Sequence, residues 1–135
     1  MHARAKWIED DRMTAVAASG HSVMVDASDT KTASSPLEFV LMGLCACTGS
    51  DVISILRKKR EPYTSIEVSA VAERASDFPK VFTKIALTYR VAGAVDRKSV
   101  EDAVRLSKEK YCSVSAMLEK TAEITSTIVL DSDSE

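Results

Sequence analysis

Residues 35–56 decide the fold, with the sequence SPLEFVLMGLCACTGSDVISIL. Ser35 can act as the N-cap of a helix, Pro36 suits the first helical position, and Glu38 completes a capping box with Ser35. Basic residues 57–60 come next, where they complement the negative end of the helix dipole, and Pro62 follows them. We therefore predict a helix that begins at Pro36 and extends for roughly twenty residues, about 30 Å.

The predicted helix is apolar around nearly its whole circumference. Leu37 and residues 39–47 are all apolar or small. Such a helix is expected to be buried on all sides. A chain of 135 residues has few elements with which to surround it. We expect a sheet against one side and the same helix of a second copy against the other, which predicts a homodimer.

Predicted strands and shorter helices flank this helix. Residues 3–8, 13–18 and 22–25 are short apolar-rich runs separated by turns, as in an antiparallel meander. The alternating runs over residues 66–73 and 81–91 predict a hairpin with one solvated face. Asp96 is placed to cap a helix that ends at residues 108–111, before a short helix over 113–121, a strand over 124–130 and a polar tail. The order of elements predicts an α+β fold.

Length and composition favour one soluble domain spanning residues 1–135. With 45% hydrophobic residues, the chain can bury a core of its own. Its net charge of −2 gives no general attraction to nucleic acid or to an anionic membrane, so we expect neither as a partner. Charged residues appear early at the N-terminus, and no uncharged apolar stretch is long enough to span a bilayer. We expect a cytoplasmic protein.

The three cysteines point to thiol chemistry. Without a signal peptide they do not form a structural disulfide framework, so the thiols are expected to be reduced. Cys47 lies in the apolar helix and Cys112 at the break between two later helices. If the fold brings these sulfurs together, one can attack an oxidant as the thiolate and the other can resolve the sulfenic acid into a disulfide. Cys45 is interpreted as a small core residue.

We expect neither a metal site nor a bound cofactor. Cys45 and Cys47 are two residues apart on a helix, so their side chains point to different faces. Neither His2 nor His21 has the spacing of a metal ligand.

Three segments give the chain a clear resemblance to a known family. They are residues 35–56, the Ala72-Glu73-Arg74 and Phe82-Thr83 positions of the hairpin, and residues 109–114 with the sequence EKYCSV. In these segments the chain resembles the osmotically inducible protein C (OsmC) and organic hydroperoxide resistance protein (Ohr) family, over nearly its whole length. Within the family it is most similar to a small bacterial branch that is poorly characterised.

The resemblance implies a fold, an activity and a set of partners. The fold would be an OsmC-like α+β homodimer, intertwined, with antiparallel sheets wrapped around long central helices. The activity would be a thiol-dependent peroxidase at the subunit interface that reduces organic hydroperoxides. Cys47 would attack the peroxide, Cys112 would resolve the sulfenate into a transient disulfide, and a dithiol such as dihydrolipoyl would reduce that disulfide.

The sequence departs from the family pattern in the groups that assist the reactive thiol. In better-known members a glutamate directly follows the proline, whereas here Leu37 intervenes before Glu38. This shift rotates the acid by about 100° and leaves it roughly 13.5 Å of axial rise from Cys47, so the capping box explains Glu38 more simply. The family's arginine corresponds to Arg4 or Arg12, and no local motif selects between them. We name Glu38 and Arg12 as the candidates.

Local electrostatics leave a second function open. Asp51 lies one turn beyond Cys47 and disfavours a thiolate there, whereas the start of the helix after Cys112 would lower the pKa of Cys112. Cys112 is therefore predicted to be the more acidic thiol. The alternative to a peroxidase is a dimeric module of the same fold that binds a small molecule or a partner and is non-catalytic or weakly redox-active.

Overall fold

The structure is a computed structural model that describes residues 1–131. It divides into a first unit, Met1–Met42, and a second unit that begins at Gly43. The boundary falls within the long helix α1, Pro36–Lys58. The predicted polar tail lies, from residue 132, outside the described residues.

The first unit contains the predicted antiparallel meander. Its strands are β1 (Ala3–Glu9), β2 (Arg12–Ala17) and β3 (Ser22–Asp26), in the spatial order β1-β2-β3. The second turn depends on Gly20, whose φ of 87° is the left-handed conformation that glycine adopts without steric strain. The prediction for these strands is confirmed to within one residue at each end.

The loop after β3 is held by one carboxylate. Asp26 is buried, and its Oδ1 accepts a hydrogen bond from the Ser28 amide at 2.8 Å. Its Oδ2 accepts from the Thr32 amide at 2.8 Å and from the Thr32 hydroxyl at 2.7 Å. These hydrogen bonds from Ser28 and Thr32 lower the pKa of Asp26 because they stabilise the ionised form. The loop leads directly into α1.

The ends of α1 confirm the prediction from the sequence. The Ser35 amide donates to Glu38 Oε1 at 2.8 Å and the Glu38 amide donates to Ser35 Oγ at 3.2 Å, which is the capping box. Arg60, with a φ of 58°, ends the last turn, and the Glu61 amide donates to the Leu56 carbonyl at 3.0 Å. The observed helix has 23 residues.

In a single copy of the chain, α1 is buried along one stripe, and the predicted cover by a second copy remains a prediction. Leu44, Thr48, Val52 and Leu56 form one stripe with i, i+4 spacing and are buried. Apolar residues elsewhere on the helix are partly exposed, such as Met42 at 46%. Within the described residues, α1 is the one helix long and apolar enough to cross a membrane, by length and composition alone.

The second unit contains a three-stranded sheet around its most buried strand. β4 (Tyr63–Arg74) and β5 (Phe82–Gly93) form the predicted antiparallel hairpin, and inward residues of β5 such as Ile85, Tyr89 and Val91 are almost inaccessible to solvent. The last strand, β6 (Glu123–Asp131), pairs with β5 in parallel, a departure from the predicted antiparallel arrangement. The helices between β5 and β6 form a crossover, which returns the chain in the same direction.

The crossover contains two helices and a wide turn. α2 (Arg97–Leu106) is capped by Asp96, which accepts from the Ser99 amide at 3.3 Å. A π-helical turn, Ser107–Tyr111, follows, and Cys112 then caps α3 (Ser113–Leu118). α3 is shorter than predicted, and its Met117 is 65% exposed. The wide turn places Cys112 at the start of α3.

Candidate functional site

The second unit brings Cys47 and Cys112 near each other although they are far apart in sequence. The Cys47 thiol is close enough to Cys112 to raise the pKa of the Cys112 thiol. Cys47 lies on α1 and is half-buried, whereas Cys112 is 3% exposed at the N-terminus of α3. This is the pair that the sequence singled out. Its chemical role remains a prediction.

The pKa of Cys112 moves in the direction opposite to our prediction. Burial is the largest cause, and together with the neighbouring Cys47 and Asp51 it raises this pKa to about 11. The Ser115 amide donates to Cys112 Sγ at 3.4 Å and lowers the pKa by less than burial raises it. The prediction that Cys112 would be an acidic thiol was therefore wrong, because it weighed the helix start and ignored burial.

A chain of four hydrogen-bonded side chains runs beside the thiols. Thr48 Oγ1 lies 2.7 Å from the Tyr89 hydroxyl and 2.7 Å from Ser107 Oγ, and the Ser107 hydroxyl donates to Asp51 Oδ2 at 2.8 Å. Thr48, Tyr89 and Ser107 are at most 2% exposed. Burial raises the pKa of Tyr89, which also feels the charges of Cys112 and Cys45. We call this group the hydroxyl chain.

The hydroxyl chain was not predicted from the sequence, although the sequence places hydroxyl residues at inward positions. Thr48 interrupts the apolar run of the central helix, Tyr89 is in the inward phase of β5, and Ser107 lies on the inward face of α2. A polar group at an inward position needs a hydrogen-bond partner. Three hydroxyls at such positions therefore indicate a network, although sequence spacing alone does not pair them.

Asp51 connects the hydroxyl chain to a cavity of about 330 Å³ in the second unit. On α1 the cavity is lined by Asp51, Ser54, Ile55 and the two lysines that follow, and on the crossover by Leu106 and Tyr111. Residues 47, 51, 54 and 58 are three or four positions apart, so they share one helix face. The cavity therefore continues the face of α1 that carries Cys47.

Two further side chains near the thiols have no chemical task in the prediction. Cys45 is half-buried, and burial raises its pKa, as expected of a small core residue. Ser115 is 3% exposed, and within the described residues its hydroxyl is the one buried side-chain oxygen or nitrogen that lacks a hydrogen-bond partner. Ser115 is thus unlike Ser107, whose hydroxyl has two partners.

The other two predicted site residues, Arg12 and Glu38, lie in the first unit. The Arg12 guanidinium forms an ion pair with Glu9 and has Asp10 Oδ2 at 3.9 Å. The Glu38 carboxylate accepts from Ser35 in the capping box, and these hydrogen bonds lower its pKa. Both side chains therefore have local partners. A role for either one at Cys47 remains a prediction.

No metal site is formed in the part of the chain that the structure describes. Among residues 1–131, no three or more histidine, cysteine or acidic side chains are grouped so that they could hold a metal ion.

The fold and the thiol pair are those of a mixed α+β protein with a long apolar helix and two cysteines near each other. The family model described as OsmC-like protein matches residues 28–127. The chain belongs to the OsmC-like family. The family and the α+β fold predicted from the sequence are confirmed.

Individual relatives agree with this assignment. Protein YhfA of Escherichia coli K12 is 43% identical over 126 residues, which cover 93% of this chain and 94% of that protein. The crystal structure of a hypothetical protein from Aquifex aeolicus VF5 matches with a TM-score of 0.89 and 26% identity, covering 98% of this chain and 96% of that one.

A more distant structure carries a functional description. A Legionella pneumophila protein described as an organic hydroperoxide resistance protein OsmC matches with a TM-score of 0.72 over 95% of both chains. Its sequence is 14% identical to this chain, so the likeness shows the fold alone.

Proposed function

We propose that this protein is a thiol-dependent peroxidase that reduces organic hydroperoxides through Cys47 and a transient Cys47–Cys112 disulfide. The observation that carries the proposal is the proximity of these two thiols in the second unit, where Cys47 raises the pKa of Cys112. Two cysteines can form a disulfide when the fold allows their Cα atoms to lie about 4.4–6.8 Å apart. Membership of the OsmC-like family and the description of the Legionella structure point to the same chemistry.

The proposed reaction has three balanced steps. The Cys47 thiolate attacks a hydroperoxide oxygen, the O–O bond breaks, and the products are a sulfenic acid and, after protonation, an alcohol. The Cys112 sulfur then attacks the Cys47 sulfur, the S–O bond breaks, and the Cys112 proton leaves with the hydroxide as water. A dithiol reductant, for example a dihydrolipoyl group, then supplies two electrons and two protons and restores both thiols.

The high pKa of Cys112 fits the resolving role. A thiol with a pKa of about 11 is protonated at neutral pH, so it is a poor nucleophile toward a peroxide. It also carries the proton that must leave with hydroxide in the second step. The burial of Cys112 thus agrees with the order of the two cysteines that the family resemblance implies.

Arg12 and Glu38 enter the proposal as groups that favour ionisation of Cys47. The partner of Arg12 is local, and exposed ion pairs contribute little stability, so an exchange of this partner costs little. Glu38 would have to leave the capping box that it forms with Ser35. Replacing Arg12 by alanine should slow the first step if this arginine assists. The matched control is Arg4→Ala, since Arg4 is the other N-terminal arginine, and equal rates in both variants would remove Arg12 from the proposal.

We also propose that the active form is a homodimer in the cytoplasm. Seven described residues of the first unit expose large apolar side chains that a second copy could cover: Met1, Trp7, Ile8, Val23, Met24, Val40 and Met42. The proposed reaction starts from reduced thiols, which suits a reducing compartment. Sedimentation of the wild type against Met42→Glu tests the dimer, with Lys31→Glu as the polar control. A wild type that sediments as a monomer at micromolar concentration contradicts it.

The deciding experiment is a titration of free thiols before and after one equivalent of cumene hydroperoxide. The wild type and Cys45→Ser should each lose two thiols, because Cys45 takes no part. Cys47→Ser should lose none, and Cys112→Ser should accumulate a sulfenic acid that dimedone traps. A wild type that loses no thiol refutes the proposal, and equal rates with hydrogen peroxide refute the preference for organic hydroperoxides.

A small-molecule binding module is the second candidate function. The observation that favours it is the cavity beside Asp51, which is near the lower end of the size range of ligand sites. The same titration separates the two functions, because a binding module keeps its thiols after exposure to hydroperoxide.

A further inference from the structure

The hydroxyl chain links the elements that carry the two thiols. Thr48 directly follows Cys47 on α1, and Ser107 begins the π-helical turn that ends at Cys112. The two hydroxyls are 2.7 Å apart. The Ser107 carbonyl also accepts the Cys112 amide at 2.8 Å, so the backbone of Cys112 is attached to the same residue. A short hydrogen-bonded path therefore joins the backbone at Cys47 to the backbone at Cys112.

The number of hydroxyl protons fixes the direction of the hydrogen bonds in the hydroxyl chain. The Ser107 hydroxyl uses its proton on the Asp51 carboxylate, so Ser107 Oγ accepts the hydrogen bond from Thr48. The Thr48 proton is then used, so Thr48 Oγ1 accepts from the Tyr89 hydroxyl. Every hydroxyl proton thus points toward Asp51, and the carboxylate at the end fixes the orientation of the other three groups. A directed chain of this kind holds its members more firmly than separate hydrogen bonds do.

We propose that the hydroxyl chain positions Cys112 against Cys47 for the disulfide-forming step, with Thr48 and Ser107 as positioning residues and Asp51 as the anchor. The inference rests on the proposed function for its place in the reaction. It requires no contact of Thr48 or Ser107 with the hydroperoxide. The chain acts on the second step because it joins the α1 segment at Cys47 to the turn that carries Cys112.

The hydroxyl chain also has a purely structural explanation, because buried hydroxyls in any core must find hydrogen-bond partners. The two readings differ in what they predict for the reaction. A structural role affects the stability of the fold and leaves the reactivity of the folded molecules unchanged. A positioning role affects the closure of the disulfide in molecules that are fully folded.

The test compares Thr48→Val with Thr48→Ser. Valine keeps the shape of threonine and removes the hydroxyl, whereas serine keeps the hydroxyl. After rapid mixing with cumene hydroperoxide, dimedone trapping measures the formation of the Cys47 sulfenic acid. The later loss of trappable sulfenic acid measures the closure of the Cys47–Cys112 disulfide. In Thr48→Val we expect disulfide closure to slow by about tenfold or more, because small misplacements of reacting atoms have effects of this size. The first step should be nearly unchanged. Thr48→Ser should close at nearly the wild-type rate.

An equilibrium measurement tests the same positioning without hydroperoxide. In glutathione redox buffers, the equilibrium constant for the Cys47–Cys112 disulfide reports how well the two sulfurs are held together. We expect it to fall about tenfold in Thr48→Val and in Ser107→Ala, and to remain near the wild-type value in Thr48→Ser. Circular dichroism at the assay temperature verifies that each variant is folded, and Ser107→Ala replaces Thr48→Val if the valine variant is not.

The outcomes separate this inference from the proposed function. A wild type that does not react with hydroperoxide, yet forms the disulfide more readily than Thr48→Val in glutathione, refutes the peroxidase and supports the positioning role. A wild type that reacts, together with a Thr48→Val variant that closes at the wild-type rate, overturns the positioning role alone. Equal slowing of both steps in Thr48→Val, or no Cys47–Cys112 disulfide in the oxidised wild type, also overturns it.

Discussion

The first and second units are stabilised in different ways. Among the described residues of the first unit, Asp26 is the one buried side chain, and its carboxylate organises the loop before α1. The second unit buries a continuous apolar set that includes Leu44, Val52 and Val91, and it holds the hydroxyl chain among them. Local hydrogen bonds shape the first unit, whereas long-range packing shapes the second. The thiol pair belongs to the region that packing controls.

The difference between the two units is tested most strongly by shortening one apolar side chain in each unit. Leu44→Ala should lower the free energy of unfolding by about 2–5 kcal/mol, because Leu44 is fully buried and its truncation leaves a cavity. Val23→Ala is the matched change in the first unit, where the side chain is 45% exposed, and should cost about 1 kcal/mol or less. Urea denaturation measures both. Equal losses would mean that the two units do not differ as described.

The second prediction concerns how the core of the second unit controls a thiol. Because the pKa of Cys112 rises from 9.0 to about 11, its thiolate fraction at neutral pH should fall about a hundredfold, and reaction with iodoacetamide should slow by at least that factor. Peptide-resolved alkylation measures the rate. The guanidinium-unfolded protein, in which Cys112 is solvated, is the control. Equally fast labelling in the folded and unfolded protein would contradict the burial of this thiol.

Two buried serines of the second unit test how much a hydrogen-bonded hydroxyl contributes to stability compared with one that lacks a partner. Ser107→Ala removes a donor to Asp51 and an acceptor for Thr48, so it should cost about 1–3 kcal/mol of unfolding free energy. Ser115→Ala removes a hydroxyl that has no partner, and its cost should be near zero or slightly favourable. Denaturant titration of both variants is the measurement. A Ser115→Ala variant as unstable as Ser107→Ala would mean that the Ser115 hydroxyl has a partner.

The smallest expected effect lies in the first unit, at Asp26. Because hydrogen bonds lower its folded-state pKa, Asp26 contributes stability above its unfolded pKa of about 4, and this contribution is lost as the pH falls below that value. Asp26→Asn should remove this part of the acid dependence. It should also speed amide hydrogen exchange at Ser28 and Thr32, with little change elsewhere. Unchanged exchange at both amides would show that the carboxylate does not hold the loop.

The features that could be predicted from the sequence are those set by neighbouring residues. The capping box of Ser35 and Glu38 depends on residues three apart, and the β4–β5 hairpin depends on alternation and one turn. Both were predicted and confirmed. The sequence raised Cys47 and Cys112 as a pair only on the condition that the fold brings them together, and the family resemblance supplied their roles, because nothing local to either cysteine indicates the other.

The features that could not be predicted depend on how distant segments meet. The parallel pairing of β6 with β5 follows from the path of the crossover, which strand patterns do not contain. The high pKa of Cys112 follows from burial by residues far away in sequence, and these outweigh the local effect of the helix start. The hydrogen bond between Thr48 and Ser107 likewise joins positions whose relation exists only in the folded chain.

The π-helical turn Ser107–Tyr111 has a consequence for how this region tolerates length changes. The Cys112 amide bonds to a carbonyl five residues earlier, so the turn contains one residue more than an α-helical turn. Deleting one exposed residue of the turn, such as Glu109, would restore ordinary helical spacing and rotate every later side chain by about 100°. A thiol turned in this way would face a different neighbour. Where a homologous chain is one residue shorter or longer in this turn, a cysteine aligned with Cys112 should therefore not be assumed to have the same reactivity.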